Sequence, residues 1–255
     1  MHITILQTDS VMAQFQAEFG DYPGMFEQNI AQVAAEQNLP LTMTSWDVRE
    51  RLPDDAARDQ SDAYLITGSR HSVYDDLPWI EKLATFLRAE ISAGKKVVGV
   101  CFGHQLMAHF FGGHVGPAEG GWAVGAHTSK VHTHEPWMDQ AADSLALISS
   151  HKDQVLKLPE NAQPYLSNSF CPIAGFTLGD QVITVQGHPE FSSGYSQALM
   201  NYRRDILGEE TFNAGIASLD TPLDASRWIG WMLSFLHNAN TAQSQTQVQD
   251  RTTAI

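Results

Sequence analysis

The stretch Lys96-Val-Val-Gly-Val-Cys101-Phe-Gly-His-Gln-Leu-Met-Ala-His-Phe-Phe-Gly-Gly113 changes its period at Cys101. Lys96 to Val100 is a short, nearly continuous apolar run of the length and β-branched content of a buried strand, whereas Gly103 to Phe111 carries apolar residues at helical spacing and ends on Gly112-Gly113. Cys101 therefore sits on a strand-to-helix turn. The unpaired N–H groups at the start of such a helix favour a thiolate, and the turn exposes it. Gly99 and Gly103 leave room for a tight elbow of the kind that carries hydrolase nucleophiles. An isolated cysteine is by default a packed thiol, but the element boundary and the flanking glycines point here to a nucleophile.

Outward from this stretch, toward the N-terminus, strands and helices alternate. His2 to Leu6 reads as a strand, Asn29 to Glu36 as a helix, Leu41 to Trp46 as a strand and Ala63 to Thr67 as a buried strand. Pro78 to Ala93 reads as an amphipathic helix stopped by Gly94. That order predicts an α/β fold with a mainly parallel sheet. Toward the C-terminus the helical period disappears from Val115 to Pro136, and Ser144 to Ile148, Ala162 to Leu166, Ile173 to Thr177 and Val182 to Val185 read as antiparallel strands and hairpins. Helices are predicted over Ser196 to Ile206 and Ser226 to Leu236. Residues 238–255 are rich in Gln, Thr, Asn and Ser with no apolar face, which predicts a mobile tail after a single domain over residues 1–237.

Composition narrows the function classes. A formal charge of −14 with scattered basic residues opposes the phosphate attraction that drives nucleic-acid binding. No apolar run approaches the roughly 18 residues of a membrane span, and Met1 to Leu6 lacks the basic and apolar regions of a secretory signal. With only 2 cysteines the chain has no disulfide framework, so a reducing cytoplasm is expected.

Attack of a thiolate on an amide needs a proton carrier for the leaving amine. His188, in Gln186-Gly-His-Pro-Glu190-Phe191, follows the predicted strand Val182 to Val185, and Glu190 stands two residues on, able to fix the imidazole tautomer as the third member of a triad does. His114, His127, His132 and His134 invite a metal reading, since three imidazoles fall within eight residues and alternation would put His132 and His134 on one strand face, but no cysteine or clear Glu-x-x-His helix completes a site. No metal and no cofactor are expected. Cys171, before Pro172, reads as a packed thiol.

Together, GVCFGHQLMAHFFGG and the downstream VQGHPEF resemble the class I, or triad-type, glutamine amidotransferases, whose motifs are CxGxQ and HPE. SSHKDQV is similar to that family's SHGD segment and EGGWAVG to its EFGW-like stretch. The resemblance implies a flavodoxin-like fold, a mainly parallel central sheet flanked by helices with a small antiparallel portion. It implies that Cys101 forms a γ-glutamyl thioester, that His188 is general base and acid and that Glu190 orients it. The backbone of Gly68, Ser69 and Phe102 would form the oxyanion hole, and Gln105, Ser150 and His151 would bind the glutamyl part. The implied substrate is glutamine or another γ-glutamyl compound, with a separate synthase subunit as a possible acceptor of ammonia. Two departures stand out. Gly68-Ser69-Arg70 replaces the usual Gly-Gly-Pro, and Lys152 replaces the glycine of SHGD, as in stand-alone relatives described as GMP-synthase-like proteins or γ-glutamyl peptide hydrolases. If Arg70 or Lys152 faces the leaving group, a γ-glutamyl peptide is the expected substrate.

Overall fold

A computed structural model describes residues 1–237; the tail expected over 238–255 lies outside the described residues. The elements run β1 (His2–Gln7), α1 (Ala13–Phe19), α2 (Tyr22–Glu36), β2 (Thr42–Asp47), α3 (Asp55–Gln60), β3 (Ala63–Ile66), α4 (Pro78–Ser92), β4 (Lys96–Val100) and α5 (Phe102–Phe110). There follow β5 (His114–Pro117), β6 (Ala123–Val131), β7 (Ser144–His151), β8 (Asp153–Lys157), β9 (Ala162–Ser167), β10 (Gly175–Leu178), β11 (Val182–Val185), α6 (Ser193–Tyr202) and α7 (Arg204–Ser218). A last helix, α8, covers residues 225–237.

One sheet of nine strands, ordered β2-β1-β3-β4-β11-β10-β9-β6-β7, forms the centre, and β5 and β8 make a separate antiparallel pair. From β2 to β11 every neighbour is parallel; from β11 to β7 every neighbour is antiparallel. The fold is flavodoxin-like α/β, as expected, with the antiparallel portion continuous with the parallel sheet. Val182–Val185, expected in a hairpin, pairs antiparallel with β10 and parallel with β4, so it is the seam between the halves.

Side-chain alternation along the parallel strands builds two cores. Ile3, Ile5, Leu65, Val98, Val100 and Ile183 point to the face covered by α2 and α8. Leu6, Tyr64, Ile66, Val97 and Val182 point to the face covered by α4 and α5. Burial on both faces explains why β3 and β4 read as unbroken apolar runs.

Three expectations are corrected. The helix expected over Ser196 to Ile206 is interrupted at Arg203, and α7 begins at Arg204. α7 turns to lie against β6 at a separation only glycine permits: a Cβ on Gly125 would stand 2.5 Å from the Gly215 carbonyl oxygen, and one on Gly215 would stand 2.8 Å from Val124. A straight continuation of α6 would forfeit that contact. β6 ends at Val131, so His132 and His134 share no strand face; His132 instead meets the Ser167 hydroxyl and His134 the Ala142 carbonyl. The third correction concerns Cys101, which the turn was expected to expose and which is buried at 5% exposure.

Candidate active site

Cys101 joins β4 to α5 with φ 51° and ψ −98°, left-handed backbone that a residue with a Cβ rarely adopts. The turn closes because the flanking glycines let strand and helix touch. A Cβ on Gly99 would stand 2.7 Å from the Gly103 backbone, and one on Gly103 would stand 2.8 Å from Ile66. The Cys101 N–H donates to the Val185 carbonyl at 2.8 Å, extending the β4–β11 pairing by one bond and fixing the cysteine beside the segment that follows β11.

That segment carries the imidazole. His188 is 4% exposed, and its backbone N–H donates to the Ile148 carbonyl at 2.7 Å, which ties it to β7. Its Nδ1–H donates to Glu190 Oε1 at 2.8 Å, and Phe191 stacks on the ring at a centroid distance of 4.0 Å. Nε2 is buried without a hydrogen-bond partner among the described residues. Burial pulls the imidazole pKa down, but the Glu190 carboxylate and Cys101 beside it outweigh that and hold it well above its ordinary value. Asn29, from α2, donates to the Pro189 and Glu190 carbonyls and pins the loop from behind.

The loop after β3 closes over both groups. A Cβ on Gly68 would stand 2.9 Å from His188 Cε1 and 3.6 Å from Cys101 Cβ, so only glycine fits. Thr8 holds the loop by donating to the Gly68 carbonyl at 2.9 Å. Phe102 is the first residue of α5, where backbone N–H groups have no partner within the helix, and its ring packs away from the cleft on Trp79.

Gly68, Ser69, Cys101, Gln105, Ser150, His151 and His188 line one cleft of about 370 Å³. Phe102 is not among the lining residues, and Glu190 lies behind His188. Gln105 donates to the Asp153 carbonyl at 2.8 Å and to Gln186 Oε1 at 3.0 Å, so its amide is held rigidly one helical turn from Cys101. His151 donates to the Asp153 carbonyl, and burial pushes its pKa down to about 3, so it is neutral. Arg70 pairs with Asp9 at 2.7 Å, and Arg49 binds the other oxygen of Asp9. Lys152 lines the cleft and is exposed.

Sequence reading missed Phe191, Asp9 and Asn29. Phe191 adjoins the HPE motif and could have been found by asking what covers the ring; Asp9 and Asn29 meet the site from other elements and left no local signal.

Residues 19–203 match the glutamine amidotransferase class-I family. The chain belongs to that family. Among curated relatives, this class-I amidotransferase chain is 35% identical over 148 residues to gamma-glutamyl peptidase 3 of Arabidopsis thaliana, covering 56% of this chain and 59% of the relative. It is 29% identical over 177 residues to the glutamine-hydrolysing GMP synthase of Clostridium novyi, covering 67% of this chain and 32% of that enzyme. The chain thus spans less than two thirds of the first of these and about a third of the second. Among solved structures, a glutamine amidotransferase from Thermotoga maritima superposes with a TM-score of 0.69 at 15% identity, covering 92% of this chain and 96% of that one. At that identity the likeness shows the fold. No helix among the described residues is long and apolar enough to cross a membrane.

Proposed function

We propose that this amidotransferase-family chain hydrolyses a γ-glutamyl amide through a thioester on Cys101. The observation that carries the proposal is the state of His188: its Nδ1–H is locked to Glu190, its Nε2 has no partner among the described residues, and its ring and the strained Cys101 both abut Gly68 in one cleft. The Cys101 thiol gives its proton to His188 Nε2 and Sγ attacks the γ-carbonyl carbon: the S–C bond forms and the carbonyl π electrons move to oxygen. Backbone N–H groups of Phe102 and of the Gly68-Ser69 loop stabilise that oxyanion, an effect worth several kcal/mol in such sites, roughly 2.7–4 per donor. Collapse expels the amine, which takes the Nε2 proton. Water then attacks the thioester, gives its proton to Nε2, and glutamate leaves as the thiolate is restored. Glu190 keeps the tautomer that puts the reactive nitrogen toward Cys101. Gln105, Ser150 and His151 fix the glutamyl part. A chemistry run by a reduced thiol fits a reducing cytoplasm.

The gamma-glutamyl peptidase relatives support a peptide as substrate. A second reading, an ammonia-producing subunit for a separate synthase, is favoured by the match to one part of GMP synthase. Incubation with glutamine and with γ-glutamyl dipeptides, measuring released ammonia and amino acid, tests the proposal. We expect turnover of at least one class, falling below about 1% in Cys101→Ser because an alcohol is a far weaker nucleophile at this pH. Glu190→Gln should lose less than His188→Ala, since it disturbs orientation and leaves the proton carrier. No turnover of either class by the wild type would refute the proposal.

A further inference from the structure

The substrate reading leaves open what meets the leaving part, and besides His151 and His188 the cleft holds four basic side chains in a chain whose formal charge is −14: Arg70, His71, Lys152 and Arg203. Their surroundings separate them. Arg70 is neutralised by Asp9 at 2.7 Å, and His71 lies 3.4 Å from Asp75. Lys152 is exposed, with nothing among the described residues fixing its ammonium. Arg203 differs from all three. Its Nη1 donates to Ser150 Oγ at 2.9 Å and its guanidinium lies over the Trp122 ring, 5.2 Å from the centroid. It makes no ion pair with any carboxylate among the described residues. Of the two carboxylates that share the cleft, Asp9 pairs with Arg49 and Arg70, while Asp153 accepts the Ser72 and Tyr74 hydroxyls on Oδ2 and its buried Oδ1 has no partner; neither pairs with Arg203 among the described residues.

The position of Arg203 in the fold suits a reader of substrate. It stands at the break between α6 and α7 and extends the wall that Tyr195, Leu199 and Tyr202 present to the cleft from α6. Ser150, which it touches, is two residues along β7 from Ile148, the residue bonded to the backbone of His188. An arginine held by a hydroxyl and an aromatic face, but lacking a counter-charge, is pre-organised for a planar anion. Trp122 beside it offers an apolar shelf for whatever precedes that anion.

We propose that Arg203 and Trp122 form the subsite for the leaving part of a γ-glutamyl peptide, with the guanidinium binding that part's free carboxylate. This rests on the proposed hydrolase activity and adds that a free carboxylate on the leaving part is selected. Free glutamine, whose leaving part is ammonia, cannot use the subsite.

The test compares γ-glutamyl-alanine with γ-glutamyl-alaninamide, which differ only in that carboxylate. In kcat/KM the wild type should prefer the acid by about ten-fold or more, the scale of a charge-assisted hydrogen bond. Arg203→Gln should bring the ratio close to one, Arg203→Lys should restore part of it, and Trp122→Leu should lower turnover of both. Arg204→Gln removes the same charge one residue away, from an arginine tied to Glu209, and should keep the wild-type ratio. A purely structural role for Arg203 would lower both substrates together and leave the ratio alone, which would overturn the proposal, as would equal use of the two by the wild type. Binding of the same pair to Cys101→Ser, read by calorimetry, should show the same preference and its loss with Arg203→Gln. That arm judges the subsite even if the hydrolase reading fails on turnover, because it requires no chemistry.

Discussion

At the scale of single residues, the Cys101 backbone and the His188 imidazole are both held away from their ordinary states. Left-handed backbone at a non-glycine residue costs roughly 1–3 kcal/mol and persists only where its surroundings enforce it. The two thiols then differ in kind. Both are buried, but Cys171 donates to the Ile173 carbonyl and has its pKa pushed up to about 12 by burial, whereas Cys101 lines the cleft. Iodoacetamide at neutral pH should therefore label Cys101 well before Cys171, as read by peptide mapping; equal labelling would contradict the assignment. His188 gives a pH prediction. Against the pull of burial, Glu190 and Cys101 raise its pKa from 6.5 to about 10. Below 6.5 the folded and unfolded imidazoles are both charged and the stabilisation is fully present. Above 6.5 the unfolded chain loses its proton first, so stability is lost progressively up to about pH 10. The melting temperature of wild type relative to His188→Gln should fall over that window, and a flat difference would mean the imidazole is neutral in the folded protein. The residues proposed as nucleophile, base and orienting carboxylate could be singled out in the sequence because each sits in a short motif at an element boundary. Arg203 was not: what distinguishes it is the absence of a counter-charge, which only the folded neighbourhood reveals.

At the scale of elements, the turn at Cys101 depends on close contact between β4, α5 and β3. Gly103→Val would drive a branched side chain into Ile66, including its backbone carbonyl, where a first Cβ already stands at 2.8 Å. Overpacking of this kind costs typically about 1–3 kcal/mol, and urea unfolding should report a loss of that size together with loss of activity. Wild-type stability would show that the strand and helix can separate freely. The parallel strands and α4 were readable because burial on both faces writes continuous apolar runs and a strong helical period. α1 and α3 were not, since neither has a buried residue to set a period. β5 and β8 pair only with each other across a long stretch of chain, which local pattern cannot announce.

At the scale of the molecule, one continuous sheet places the candidate site at the seam where parallel pairing gives way to antiparallel. Tyr165 bolts the halves together. Its hydroxyl donates to the Thr184 carbonyl on the seam strand at 2.8 Å and accepts from Trp228 Nε1 of α8 at 3.0 Å, all of it buried. Tyr165→Phe would strand the buried indole N–H and should cost about 1–3 kcal/mol in a single unfolding transition. Two transitions would mean that the halves unfold independently. The antiparallel half was recognisable by its alternation, but its union with the parallel sheet was hidden because Val182–Val185 serves both partners.

The seam has a consequence for how the chain tolerates change. Thiol and imidazole follow the ends of neighbouring strands whose spacing is set by the paired rungs from Val182↔Val97 to Val185↔Val100 and by the bond from Cys101 to Val185. The long path of chain between them contributes nothing to that spacing. A domain spliced into the exposed hairpin turn at Gly179-Asp180, which joins β10 to β11, would lengthen the tether while leaving the two reactive atoms where they are. A single-rung slip between β4 and β11, which alters no covalent length at all, would carry the imidazole roughly 3.3 Å along the strand and abolish the chemistry.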